Sequence, residues 1–135
     1  MLYKKSTAAW RTISGKEYYF RSMWESNYAR WLDMQLKCGM IQGWEHEPAT
    51  FWFEDIKRGV RSYLPDFRVT NNHGLATYHE VKGYYDAKSK TKIKRFRKYY
   101  PEETLILIDK KWFAKNSGKL KCLIDDWECG EYEYK

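Results

Sequence analysis

Tyr63-Leu64-Pro65-Asp66-Phe67-Arg68-Val69-Thr70, the turn Asn71-Asn72-His73-Gly74, and Leu75-Ala76-Thr77-Tyr78-His79-Glu80-Val81-Lys82-Gly83 form the stretch that decides the fold. Pro65 interrupts one extended run, and Phe67 to Thr70 resumes it. The Asn-Asn-His-Gly cluster supplies the residues a tight turn needs, so Ala76 to Lys82 returns as the second arm of a β-hairpin. A turn centred on Asn72 or His73 sets Asp66 opposite residue 79 or 80. Side chains alternate along a strand, so Phe67, Val69 and Val81 point to the core, while Asp66, Glu80 and Lys82 gather on a polar face.

Directly opposed carboxylates destabilise a sheet unless something neutralises them. Oxygen-only ligands suit a hard cation such as Mg²⁺ or Mn²⁺, held through a few carboxylates, water and substrate phosphates. Lys82 offsets one charge and stands where it can meet a phosphate or an attacking water. These are the parts that phosphodiester hydrolysis requires.

Working upstream, Ser22 followed by Glu25 makes a capping box for a helix from Met23 to Cys38, which Gly39 stops. Trp24, Tyr28, Trp31, Leu32 and Leu36 recur at helical spacing and give it an apolar stripe. Glu25 has two readings here: a third carboxylate for the site, favoured at a helix N-terminus by the dipole, or simply the capping acid. From Trp44 to Phe53 a strand-like segment is broken by Pro48; Lys57-Arg58-Gly59 is a turn, and Val60 to Leu64 returns as a partner.

Downstream, a helix runs from Ser89 to Tyr99 and stops before Pro101. Lys88, Lys90, Lys92, Lys94, Arg95, Arg97 and Lys98 fall between positions 88 and 98 with no acid among them. Such density repels itself unless phosphates neutralise it, which suggests a DNA-backbone cradle; the bland alternative is a solvated face. Thr104 to Ile108 is a continuous apolar run, as in a strand buried on both faces. Strand, helix and strand then form a βαβ crossover, so the expected fold is α/β, a mixed central sheet flanked by helices.

A length of 135 residues suits a single domain spanning 1–135. Residues 1–16 read as a flexible arm and 112–135 as a tail without assignment. Twenty-five Lys and Arg against 18 acids give a net charge of +7, which favours a polyanionic partner. Charge by itself does not distinguish DNA, RNA and an acidic membrane surface. Cys38, Cys122 and Cys129 are odd in number and lack CxxC spacing, which argues against a disulfide scaffold or zinc finger. No apolar run is long enough to span a membrane, and Met1 to Ser14 lacks a signal peptide's apolar stretch, so a cytoplasmic protein is expected.

Tyr63-Leu64-Pro65-Asp66 with Glu80-Val81-Lys82-Gly83 resembles the PD-(D/E)XK nuclease motif, and Glu25 in Arg21-Ser22-Met23-Trp24-Glu25 resembles that family's first-helix acid. The order of elements from Phe20 to Asp109, with Trp44-Glu45-His46-Glu47-Pro48 between helix and hairpin, is similar to phage-type endonuclease I, a Holliday-junction resolvase. The resemblance implies a restriction-endonuclease-like fold and an Mg²⁺- or Mn²⁺-dependent endodeoxyribonuclease with one or two ions per site. It implies metal ligation by Asp66, Glu80 and the Val81 carbonyl, completion of the site by Glu25, assistance to water by Lys82, and a homodimer that cuts branched DNA. The alternatives are a nicking or weakly specific duplex endonuclease, and a non-catalytic DNA-binding module on the same fold. The tail after Lys110 lies outside the resemblance.

Overall fold

The computed structural model describes residues 2–4, 8–129 and 132–134. Its elements run β1 (Leu2–Lys4), β2 (Ala9–Ile13), β3 (Lys16–Phe20), α1 (Met23–Lys37), β4 (Gly43–His46), β5 (Phe51–Trp52), β6 (Ser62–Tyr63), β7 (Phe67–Thr70), β8 (Ala76–Val81), α2 (Ala87–Tyr99), β9 (Leu105–Ile108), α3 (Lys110–Leu123) and β10 (Tyr132–Tyr134). The chain is mixed α/β, with a four-stranded sheet in the order β4-β7-β8-β9. The β4–β7 and β7–β8 pairs are antiparallel and the β8–β9 pair is parallel. The parallel pair is joined through α2, as the strand–helix–strand pattern suggests.

The β7–β8 register pairs Phe67 with His79 and Arg68 with Tyr78, which puts Asp66 opposite Glu80 one step further on. Asn71 sets this register: its side-chain oxygen accepts from the His73 and Leu75 amides at 2.8 and 3.0 Å, and Gly74 takes a φ of 81°. Phe67, Val69 and Val81 then pack with Tyr28, Ala29 and Leu32 of α1. The other face was expected to be polar. It instead carries a second apolar cluster, in which Tyr78 of β8 packs with Tyr63, Ile93 and Phe96. Glu80 lies at the end of this covered face and is itself buried.

Two edges also differ from expectation. β9 is an edge strand, so Ile106 is 41% exposed where a strand buried on both faces was expected. In α1 Leu36, expected on the apolar stripe, is exposed, while Glu25, Ser26, Asn27 and Asp33 are buried.

Residues 9–16 are not a loose arm. Ala9–Ile13 pairs with Lys16–Phe20 as a hairpin across a two-residue Ser14-Gly15 turn, both turn residues lying at positive φ (49° and 81°). Ile13 and Phe20 enter the core, and the Ser14 hydroxyl donates to Asp33 of α1 at 2.5 Å. Positions 1 and 5–7 of the expected arm lie outside the described residues. The tail contains α3, capped by Asp109, with Phe113 and Leu120 in the core. Cys38, Cys122 and Cys129 are free and exposed. No described helix is long and apolar enough to cross a membrane.

Glu128 ties the segment after α3 to the rest. Its carboxylate accepts from Arg11 Nε at 2.6 Å, Arg30 Nη1 at 2.6 Å and the Ser26 hydroxyl at 2.7 Å. Its amide and carbonyl are bonded to the Asn27 side chain. Burial opposes its charge, but Arg11 and Arg30 outweigh burial and hold the Glu128 carboxyl below its ordinary value. A depressed folded value contributes stability above the unfolded value near 4.5, and that contribution is lost as pH falls through the lower folded value. Urea midpoints measured from neutrality down to about pH 3, through the lowered folded value, should therefore fall more steeply for the wild type than for Glu128→Gln. Parallel curves would remove this role.

Candidate active site

The three acids and the lysine reach one place from three elements. The first turn of α1 delivers Glu25, the residue just before β7 delivers Asp66, and the end of β8 delivers Glu80 and Lys82. They line a cavity of about 310 Å³ that Arg21, Tyr63, Tyr84, Ser89 and Lys92 also border.

Each carboxyl is oriented by protein donors. The Ser22 hydroxyl caps α1 by accepting from the Glu25 amide at 3.0 Å. Glu25 Oε1 accepts from the Arg21 amide at 2.8 Å, one residue earlier than a reciprocal capping box would place it. Its Oε2 lies 3.3 Å from His46 Nε2. Asp66 Oδ2 accepts from the Val81 amide at 2.8 Å, extending the ladder with a side chain just before β7 begins. The Tyr63 hydroxyl donates to Glu80 Oε1 at 2.6 Å, and the Asp66 amide reaches the same oxygen at 3.3 Å.

The ladder phase also gives the direction of one backbone carbonyl. The Tyr78 and Lys82 amides donate to Thr104 and Ile108 of the β9 side, so even-numbered residues of β8 face β9. The amide and carbonyl of Val81 consequently face the β7 side, where Asp66 stands.

Asp66 keeps some accessible surface as a residue, but protein encloses its carboxyl group on nearly all sides. That burial, then the charges of Glu80 and Glu25, push it well above the ordinary carboxylate range. Burial likewise raises Glu80, partly offset by the Tyr63 hydrogen bond and the Lys82 charge. Glu25 is also opposed by burial, yet the hydrogen bonds from His46 and the Arg21 amide outweigh it and hold the group low. Burial and the Glu80 charge raise the Tyr63 phenol, so it remains a donor. Burial and mutual repulsion thus oppose ionising all three acids at once.

Among the described residues, no three His, Cys, Asp or Glu side chains stand in ready ligand geometry for a metal ion. Oxygen donors without sulfur would suit a hard cation better than a soft one. Asp66, Glu80, Glu25 and the Val81 carbonyl are the groups that would hold such an ion.

Residue-level reading missed two supports. His46 orients Glu25 and is itself held between Phe20 and Phe67 at ring separations of 4.7 and 5.4 Å. Tyr63 lies in the motif stretch, and its hydroxyl fixes Glu80. An aromatic–acid pattern names neither partner, because both contacts join separate elements. His79 faces α1 as alternation requires, with Nδ1 2.6 Å from the Tyr28 hydroxyl.

The basic helix divides. Lys92 borders the acid pocket, and with Lys88 it lines an adjoining groove. Lys90, Lys94, Arg97 and Lys98 are exposed. Lys94 and Lys98 lie beside Ile56 on another side of α2. Arg95 donates to the Val60 carbonyl and Arg97 to the Leu105 carbonyl, the latter at 3.3 Å, so both arginines also brace the fold. Arg68 pairs with Glu45 across β4 and β7 at 2.7 Å.

Gly83, two residues past β8, is glycine for a steric reason. A Cβ there would stand 2.8 Å from Trp24 Cζ3, and the Trp24 ring is stacked on Phe113 at 4.5 Å and 14°. No flexible end can yield, so Gly83→Ala should cost about 1–3 kcal/mol, the usual range for overpacking. The displaced Trp24 should carry Glu25 with it and lower any activity of the pocket. A thermal melt like that of the wild type would show that the ring can move freely.

Comparison with protein-family models and with curated proteins finds no match for this chain.

Proposed function

We propose that the chain is a divalent-metal-dependent endodeoxyribonuclease on a restriction-endonuclease-like fold. The observation that carries this reading is the Asp66 carboxyl enclosed between Glu80 and Glu25, with Lys82 beside Glu80. Enclosing like charges is costly unless the pocket exists to hold a cation and a phosphate.

A bound Mg²⁺ or Mn²⁺ supplies Lewis acidity and a more acidic water. The chain's residues do the rest. Tyr63 and the Val81 amide fix the carboxylates, so little reorganisation accompanies the reaction. The Lys82 ammonium, bordering the cavity with Lys92 and Arg21, favours a phosphodiester there and stabilises charge that builds on its oxygens. Helix α2 presents cations that position a backbone without reading sequence. Branched DNA is the substrate we favour, and a homodimer the form that would cut both strands of a junction.

One observation favours a second reading, a DNA-binding module without catalysis. His46 and Tyr63 already engage Glu25 and Glu80, and no ligand set is assembled among the described residues. Supercoiled plasmid incubated with Mg²⁺, Mn²⁺ or EDTA decides between them. Metal-dependent nicking or linearisation is expected, and DNA left intact with either ion would favour the binding module. A four-way junction should be cut faster than a linear duplex of the same sequence, and equal rates would remove the branched substrate.

A further inference from the structure

Beside the acid pocket lies a second groove of about 330 Å³, lined by Trp52, Arg61, Ser62, Lys88 and Lys92 together with the Gly59-Val60 backbone turn. Its lining contains three cations and no acid. Lys92 borders both cavities, so the groove continues directly from the acids.

Trp52 gives this groove its character. Alternation along β5 sends Phe51 inward, against Tyr78, Phe96 and Tyr100 at ring separations of 5.1, 4.9 and 4.9 Å. Trp52 is thereby turned outward and is 59% exposed. An exposed indole on a mobile loop would mean little, but this strand is pinned. The Tyr100 hydroxyl donates to the Trp52 carbonyl at 2.6 Å, β6 pairs Ser62 with Trp52, and Arg95 donates to the Val60 carbonyl on the opposite rim. An exposed aromatic on a pinned backbone beside cations can bind a base by stacking and its flanking phosphates by charge.

We propose that this groove is a stacking site for an unpaired nucleotide of a DNA strand that leads into the acid pocket. The inference rests on the nuclease reading and deepens it: the preferred substrate has single-stranded character on the α2 side of the cut. A base paired within a duplex has both faces covered by its neighbours and cannot stack on Trp52. Discrimination against plain duplex would therefore arise here, without sequence readout.

The test uses the full chain in EDTA, where no cutting occurs, and a labelled oligodeoxythymidylate followed by fluorescence anisotropy. Trp52→Ala should weaken binding roughly tenfold, the size of losing one stacked base, while Trp52→Phe restores most of it. Blunt duplex should bind both variants as the wild type does. Lys88→Ala should reduce the salt slope for the single strand by about 0.7. Thermal melts of the Trp52 variants should match the wild type, since the side chain is exposed.

Undetectable oligodeoxythymidylate binding, unchanged affinity in Trp52→Ala, or an equal loss on blunt duplex would each overturn the proposal. So would polyglutamate binding with the same dependence on Trp52, which would make the groove an acidic-peptide site. Plasmid cleavage with Mg²⁺ separates the two readings. Cleavage without Trp52-dependent binding removes the groove alone, and Trp52-dependent binding without cleavage removes the nuclease alone.

Discussion

Asp66→Asn should abolish cleavage and at the same time make the protein more stable. The activity loss should be on the order of 10³-fold, comparable to removing a preorganised electrostatic group from an active site. The stability gain follows from the crowding in the pocket. Asp66 is enclosed, and the charges of Glu80 and Glu25 oppose its ionised form. Asparagine keeps an oxygen for the Val81 amide, which lies 2.8 Å from Asp66 Oδ2, and brings an amide that can donate to Glu25. Without added metal the variant should gain about 0.5–2 kcal/mol, the common size of a stabilising substitution, because an active-site charge is costly to hold. Mg²⁺ should then raise the melting temperature of the wild type by mass action on the folded state, and move the variant far less. Loss of cleavage with lower stability would mean that Asp66 is a structural carboxylate. Full cleavage by the variant would place the chemistry elsewhere.

The reach of the sequence follows the distance over which each feature is specified. The β7–β8 hairpin was legible because its turn and its period of two are local. Once Asn71 to Gly74 fix the turn, the opposition of Asp66 and Glu80 is arithmetic. The crossover through α2 was legible for the same reason. The β2–β3 hairpin was not: its Ser14-Gly15 turn is a weak signal, and Ile13 is buried only because Phe20, Tyr28 and their neighbours meet it. Helix α3 was obscured by its lysines and by Gly118 within it, and Phe113 and Leu120 fix it from outside.

In the site, residue types and order were enough to bring Glu25, Asp66, Glu80 and Lys82 to attention, and they do line one cavity. What the sequence could not supply was the company they keep. His46 on Glu25, Tyr63 on Glu80, and the aromatic cluster behind Tyr78 all come from other elements. The basic helix shows the same limit in reverse. Seven cations read as one cradle, while three-dimensional placement assigns Lys92 and Lys88 to the cavities and gives Arg95 and Arg97 bracing contacts.

Phe67 is the position where fold and site are most tightly joined. It is wholly buried, and its ring meets Tyr28 of α1 at 5.7 Å, Trp44 at 6.0 Å and His46 at 5.4 Å. Phe67→Ala should cost about 3–5 kcal/mol, since the lost burial is compounded by a cavity that a sheet and a helix cannot close. For a chain of this length that lowers the melting temperature by about 10–20 °C. The more informative variant is Phe67→Leu, which keeps most of the apolar volume and should stay folded at room temperature. Leucine cannot reproduce the flat surface against the His46 ring, and His46 orients Glu25. Cleavage by Phe67→Leu should therefore fall while binding of DNA in EDTA is unchanged, because the acids are misplaced but the cations of α2 are not. Activity that tracks only the folded fraction, as measured by urea melts of the same preparation, would break this link. The Phe67–His46–Glu25 chain would then be packing alone, and the position of Glu25 would be set by its cap at Ser22.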